Sequence, residues 1–571
     1  MAITACPPIG PPHALPLGSA QPPGQAHAIS VSLPTWDSVP GRPLGLKWVI
    51  EEMQTNYPRF GMHCIVQKLR EAVLDRMGRP EEKNCLIFPS EDAGIRLSRF
   101  LSRQGSSEDN DAVVQSEIVW FHLAGENHAE ENVQWVQFWA VLYHQSYEKL
   151  ATKFWTIFGD GISSRHAEYC LGLWSFMRPG SQPDSPNGTY QCSDTKAAIL
   201  PPWNHHCDQK AKDTIKSRIA EWVASDDPDI PRVCPSDVYL YQKGMCAISA
   251  VARSLLPGNE QSSGVVVFGW PYAETPKCVE NSGYSDFFLY SQGSADELDL
   301  LATSLASGTN IQALFCEIPS NPLLRTPDLH RIRELADQYG FCVVCDETLG
   351  TYINVDVLPY VDVVITSLTK IFSGGSNVMG GSVVLNRRSR HYETLHQKLS
   401  STYQDNLFPA DAIVLAHNST TFPSRVRQCN RTAQALASHM VTHPSIQSVF
   451  HPSLPSMSTE HLYERYRRPN GGHGYLLSFL FRNPASAVVF YDNLDICKGP
   501  NVGTNFSLAL PYAQLSHALE LDWAESHGVR RQLVRISVGL EPEKLLIERI
   551  DDALLEVEKF EKRKLLETQP K

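Results

Sequence analysis

Val361-Asp362-Val363-Val364-Ile365-Thr366-Ser367-Leu368-Thr369-Lys370 is a β-branched run that closes on Ser-Leu-Thr-Lys. It opens into Gly374-Gly375-Ser376-Asn377-Val378-Met379-Gly380-Gly381. An unbroken apolar run of this length reads as a strand buried on both faces of a parallel sheet. Ser367, Thr369 and Lys370 then stand at the strand's carboxyl end, where open α/β sheets bind their ligands. A buried ammonium is costly unless paired. Taken alone, Lys370 fits either an exposed loop residue or a chemical lysine.

Phe341-Cys342-Val343-Val344-Cys345-Asp346 is a second run of the same kind, and it ends in a carboxylate. One crossover's length separates Asp346 from Lys370. A lysine and an aspartate at the ends of two nearby strands can hold opposite ends of one ring. The ring that needs both is pyridoxal phosphate (PLP): the lysine forms a Schiff base, and the carboxylate keeps the pyridine nitrogen protonated. Asp346 as a helix N-cap is the other reading.

Around these runs lies a chain of 571 residues, 42% hydrophobic and 20% charged, enough for a sizeable core. Its net charge of −12 argues against nucleic acid or an anionic membrane as partner. No apolar run reaches the roughly 18 residues of a membrane span, and no secretory signal is visible, so a cytoplasmic location is expected. Fourteen cysteines without framework spacing fit reduced thiols. Cys342 and Cys345 fall on opposite faces of their strand and read as core residues. His205-His206-Cys207 lacks a partner pair, so no metal site is expected.

Residues 1–40, rich in Pro, Gly, Ala and Ser, read as a flexible tail. Residues 41–190 read as a helical N-terminal region and arm. Val66, Leu69, Val73 and Leu74 have helical spacing, and Glu130 to Tyr147 carries Val133, Val136, Ala140 and Tyr143 along one helical face, with Trp135 and Trp139 beside it. Residues 180–212 read as a long loop. Over 191–420 the rhythm is strand–helix–strand, with strands at Gly264 to Gly269, Ala313 to Glu317, Phe341 to Asp346, Val361 to Ser367 and Ser382 to Leu385. A helix between Pro327 and Gly340 is marked at both ends. This predicts an α/β, doubly wound domain. Residues 421–571 read as a smaller α+β domain, with strands at Leu476 to Phe481 and Leu533 to Val538 and a closing helix from about Pro542 to Lys562.

Further candidates lie outside the two strands. Gly244-Met245 opens a helix and could seat a phosphate, or be an ordinary helix start. Pro271-Tyr272 follows a strand and could offer an aromatic face. Pro319-Ser320-Asn321-Pro322 follows Glu317. Arg535, inside Val534-Arg535-Ile536-Ser537-Val538, must find an anion.

Together with Cys316 to Leu323, Asp346-Glu347-Thr348, Ser367 to Gly381 and Gly503 to Leu508, these residues resemble the Cys/Met-metabolism family of PLP enzymes, in particular its filamentous-fungal cystathionine γ-synthase-like branch. The resemblance implies the aspartate-aminotransferase type of fold, usually a homodimer or homotetramer with shared active sites. It implies amino-acid substrates: an O-acylhomoserine, and cysteine as the nucleophile that gives cystathionine. A carbon nucleophile in a natural-product pathway, or a lyase that completes elimination, are its alternatives. By the resemblance Lys370 is the Schiff-base lysine, Asp346 the pyridinium partner, and Ser367 and Thr369 with the amides of Gly244 and Met245 the phosphate cradle. Tyr272 matches the ring-stacking tyrosine, Asn321 the residue near the 3-oxygen, and Arg535 the clamp on the substrate α-carboxylate, with Asn501 close by. The sequence departs from the family at Asn501, Gly375, Gln242 and Lys243. The family's Tyr-x-Arg arm, which reaches the neighbouring subunit's phosphate, is compared with Phe154 to Gly161 and Arg165.

Overall fold

The computed structural model describes residues 13–78, 82–105, 116–123, 135–180, 205–257 and 263–568. Its centre is a seven-stranded sheet in the order Val238–Tyr241, Gly381–Leu385, Val363–Thr366, Cys342–Asp346, Ile311–Glu317, Gly264–Phe268 and Asp286–Tyr290. Neighbours from Val363–Thr366 to Asp286–Tyr290 pair in parallel, and Gly381–Leu385 runs antiparallel to both its neighbours. Val343, Cys345 and Val364 enter one core, while Cys342, Val344, Val363 and Ile365 enter another on the opposite face. Burial on both faces is why these strands read as continuous apolar runs. Each such side chain contributes about 1.5–3 kcal/mol relative to an exposed one. Helices cover both faces, as expected of this α/β sheet. Asp328 caps the Leu329–Tyr339 helix by accepting from Arg331 N at 3.2 Å, and Gly340 ends it at φ 84°.

A five-stranded sheet follows, in the order Ile446–Phe450, Leu476–Phe481, Val534–Ser537, Leu508–Pro511 and Cys497–Lys498, backed by the Phe422–Met440 and Pro484–Asn493 helices, against which the Glu543–Thr568 helix packs. Val534–Ser537 pairs antiparallel on both sides, so Arg535 is a central-strand residue.

The first third of the chain differs from expectation. Residues 13–40 are not a free tail: Ala20–Gln21 pairs with Ser30–Val31, and Ala28, Ile29, Val31 and Leu33 are buried. Residues 1–12 lie outside the described residues. The helix expected through Tyr143 is the strand Phe138–His144, in a four-stranded antiparallel sheet with Lys83–Phe88, Glu117–Leu123 and Met177–Gly180. Phe138, Ala140 and Leu142 face one core while Val141 and Tyr143 face another, so no period of two shows in the sequence. Val133 lies outside the described residues. The loop expected over 180–212 ends early, because a helix spans His205–Val223.

Candidate active site

One cavity opens at the carboxyl ends of the central strands, and Lys370, Asp346, Ser367, Thr369, Gly244, Met245, Tyr272, Asn321 and Arg535 all line it. The strands Cys342–Asp346 and Val363–Thr366 are adjacent and parallel, so their ends deliver Asp346 and the Ser367–Lys370 turn to the same side. Lys370 Nζ donates to Tyr57 Oη at 2.5 Å and to Asn501 Oδ1 at 2.8 Å, and sits 4.7 Å from the Tyr57 ring centroid. Neither partner is a carboxylate. Burial alone would raise the Tyr57 hydroxyl's pKa, but Lys370, then Arg59 and Arg535, bring it below the ordinary tyrosine value.

The cavity's donors and acceptors fit pyridoxal phosphate from end to end. The Gly244–Ser254 helix begins without a side-chain cap, which leaves its first-turn N–H groups for an anion. At Gly244 a Cβ would lie 3.0 Å from Ser367 Cβ, so any larger residue would push the helix start and the Ser367 turn apart by a few tenths of an ångström. At the other end Asp346 Oδ1 accepts from Thr348 N at 2.9 Å. Burial raises the Asp346 pKa, against hydrogen bonds from Thr348 and the charge of Lys370. A protonated ring nitrogen would supply the missing counter-charge. The Thr369 hydroxyl is paired with Gly380, accepting from its N–H at 3.1 Å and donating to its carbonyl at 3.2 Å, so it would have to turn its proton toward a bound phosphate. Tyr272 is anchored by its backbone N–H, which donates to Glu317 Oε2 at 2.6 Å.

Arg535 is 4% exposed. Its Nη1 donates to Asn321 Oδ1 at 3.0 Å and its Nη2 to Pro500 O at 3.4 Å, with Tyr512 beneath it, 5.2 Å from the ring centroid. A structural salt bridge to Glu541 is not formed; that carboxylate accepts from Ser507 N at 2.6 Å and Ser507 Oγ at 2.8 Å. Among the described residues Arg535 has no ion pair. Burial lowers its pKa, and a carboxylate in the cavity would relieve that cost. Arg535→Lys keeps the charge and loses the fork. It should cost about 1.5–3 kcal/mol, or roughly ten- to a hundredfold in kcat/KM, at unchanged cofactor content. Unchanged kcat/KM with a lowered Tm would make Arg535 a purely structural cation.

Two departures gain a physical reason. A Cβ on Gly375 would lie 2.6 Å from Asn377 Oδ1 and 2.8 Å from Asn418 Nδ2, so a larger residue there would have to displace the amides of both side chains. Asn501 is buried, holds the Lys370 amine, and donates through Nδ2 to Ser376 Oγ at 3.2 Å.

The Tyr-x-Arg comparison is corrected. Arg165 forms a buried ion pair with Asp411 at 2.9 Å and does not line the cavity. Tyr57-Pro58-Arg59 does line it, with Phe60. Arg59 Nε donates to Glu274 Oε1 at 2.7 Å, and its guanidinium lies 5.6 Å from the Tyr272 ring centroid. The signal was present, since this is the first Tyr-x-Arg in the chain. Trp155, Thr156 and Gly159 from the compared stretch also line the cavity. His205-His206-Cys207 starts a helix, and no metal-binding group of His, Cys, Asp or Glu is found among the described residues.

Comparison with known proteins agrees with this geometry. Residues 235–555 match the Cys/Met metabolism PLP-dependent enzyme family, and residues 65–163 match the fungal trans-sulfuration enzyme N-terminal domain. The chain is 50% identical over 550 residues to the cystathionine gamma-synthase-like protein ankD of Aspergillus thermomutatus, covering 96% of this chain and 95% of that one. It is 34% identical over 597 residues to the cystathionine gamma-synthase of Neurospora crassa, covering 92% and 96%. The crystal structure of cystathionine gamma synthase from Xanthomonas oryzae pv. oryzae shares the fold, at a TM-score of 0.52 and 22% identity over 64% of this chain and 91% of that one.

Proposed function

The chain belongs to the Cys/Met metabolism PLP-dependent enzyme family, and on that premise we propose that it exchanges the γ-substituent of an O-acylated homoserine, with cysteine as the entering nucleophile. It is a PLP-dependent, cystathionine γ-synthase-like enzyme of the aspartate-aminotransferase type of fold. The substrate and the roles of individual residues are our reading. The observation that carries it is one cavity holding a lysine without a carboxylate partner, a half-buried carboxylate at a strand end and an unpaired arginine.

When bound, the cofactor supplies a carbonyl carbon for the substrate amine and a sink for electrons released at Cα. The first-turn amides of Gly244 and Met245, with Ser367 and Thr369, would hold its phosphate. Asp346 would hold its ring nitrogen, Tyr272 its face, and Asn321 its 3-oxygen. Arg535 grips the substrate α-carboxylate bidentately and fixes the orientation of Cα. Lys370 Nζ takes and returns protons at Cα and Cβ, held in place by Tyr57 Oη and Asn501 Oδ1. In the exchange the Cγ–O bond breaks and a carboxylate leaves. The Cγ–S bond forms, and the thiol proton passes to solvent. Phe60, Trp155, Leu510 and Tyr512 shield the cavity from water.

One observation favours a second reading, in which a neutral or carbon nucleophile replaces cysteine. A second amino acid brings a second carboxylate. Arg59, the other arginine in the cavity wall, is already tied to Glu274. The test is incubation with O-acetylhomoserine, with and without cysteine, and product identification by mass. Cystathionine formed only with cysteine is the expected result. Donor consumption that gives an oxo acid and ammonia regardless of cysteine would replace the proposal with a lyase. Donor turnover that cysteine neither enters nor speeds would favour the second reading.

A further inference from the structure

The phosphate end of the cavity needs more positive charge than its backbone can offer. A phosphate monoester carries about 1.5–2 negative charges at neutral pH. The uncapped start of the Gly244–Ser254 helix offers roughly half a positive charge, and the Ser367 and Thr369 hydroxyls offer none. Among the described residues four cations line the cavity: Arg59, Lys243, Lys370 and Arg535. Arg59 is neutralised by Glu274 at 2.7 Å. Lys370 and Arg535 serve the reacting carbon and the substrate carboxylate. Phe154 to Gly161, the stretch compared with the family's Tyr-x-Arg arm, contains neither arginine nor lysine.

Lys243 is the cation left over. It directly precedes Gly244 and occupies the helix's N-cap position in extended backbone, with φ −153° and ψ 157°. It is 8% exposed, so its ammonium is largely desolvated. Nζ donates to Gly161 O at 2.9 Å and lies 5.2 Å from the Trp155 ring centroid, while Gln242 beside it donates to Asp160 O at 2.9 Å. An ammonium has three N–H donors. Among the described residues only one of them is used, and no carboxylate pairs with Lys243. Asp160 and Asp411, whose charges reach it, are already held by Arg96 and Arg165, each at 2.9 Å. Burial lowers the Lys243 pKa in spite of these acids. One carbonyl and one aromatic face offset only part of the desolvation of an ammonium. An anion at the helix start would offset the rest.

We propose that Lys243 is the counter-cation of the cofactor phosphate, carried on the residue next to the helix start that receives it. This rests on Gly244-Met245 being the phosphate end of the cavity. Lys243 and Gly244 are consecutive, so the role is the same whichever subunit's arm closes the cavity.

The test compares pyridoxal phosphate with pyridoxal, which has the same ring and aldehyde but no phosphate. Wild-type and Lys243→Gln apoproteins are titrated with each compound, and uptake is read from the change in absorbance. Glutamine keeps a donor for Gly161 O and loses the charge. The variant should bind pyridoxal phosphate about ten- to a hundredfold more weakly, the loss of one charge-assisted contact, and pyridoxal within about twofold of wild type. If Lys243→Gln does not fold, Lys243→Met fills the same space beside Trp155 and carries the comparison. Equal weakening of both compounds would make Lys243 a structural clamp on the 159–161 turn and overturn the proposal. So would an unchanged preference for the phosphate. A wild type without preference for pyridoxal phosphate over pyridoxal would refute the phosphate end itself, and the proposal with it. Phosphorus NMR of the bound cofactor gives a readout independent of affinity. A nearby ammonium favours the dianion, so the second pKa of the bound phosphate should rise in the variant, and an unchanged titration would overturn the proposal.

Discussion

Lys370→Ala lowers turnover by roughly a thousandfold or more, and borohydride no longer fixes the cofactor to the protein. The magnitude is that of losing a covalent catalyst and a proton-transfer group together. Lys243 is the one other lysine lining the cavity, and it is the natural competitor. Its amine is committed to Gly161 O. The Lys370 amine is held by two neutral side-chain oxygens at the cavity surface. Reduction of the wild type should therefore label the peptide containing Ser367-Leu368-Thr369-Lys370. The variant should still take up PLP reversibly, because the uncapped Gly244–Ser254 helix is untouched. Its fold should survive, because Lys370 lines the cavity and is not one of the buried core residues. A label on Lys243, or near-normal turnover by Lys370→Ala, would refute the assignment.

The central sheet was legible because its strands are buried on both faces. Val343, Val344, Val363, Val364 and Ile365 leave no room for polar residues, so an Asp or Lys at a strand end stands out. The same property hid the N-terminal sheet. Phe138 to Tyr143 is also buried on both faces, and its aromatic and Ala residues happen to fall at helical spacing as well. Residues 13–40 look like a tail by composition, and only contacts far along the chain reveal their burial. One is Tyr491 Oη donating to Leu33 O at 2.6 Å. Tyr57-Pro58-Arg59 has no regular element around it, so periodicity could not mark it. Its value lies in reaching Lys370, 313 positions away. Gln242 and Lys243 could be seen as departures, but their use needed the Asp160–Gly161 turn to be in place.

Asp346→Asn should slow carbanion formation by about a hundredfold or more, the loss seen when one fixed electrostatic partner of a developing charge is removed. The amide cannot keep a pyridine nitrogen protonated, and a neutral ring accepts electrons poorly. The substitution leaves the local bonding intact, because the Asn carbonyl oxygen can accept from Thr348 N as Asp346 Oδ1 does. Burial disfavours the charged form of Asp346. Without cofactor, the neutral amide should therefore fold at least as stably as the carboxylate at neutral pH. An unchanged or raised Tm of the apoprotein, beside a collapsed rate, separates a chemical role from a structural one. Deuterium exchange at the substrate Cα reads carbanion formation directly, before any step at Cγ. Near-normal exchange would move the role to another group. Glu317 is the candidate, since it is buried in the same cavity wall and burial, then Asp346, pushes its pKa well above the carboxylate range. But its Oε2 already accepts from Tyr272 N, so its geometry serves the aromatic wall. Glu317→Gln should therefore perturb cofactor seating more than the exchange rate, the reverse of Asp346→Asn.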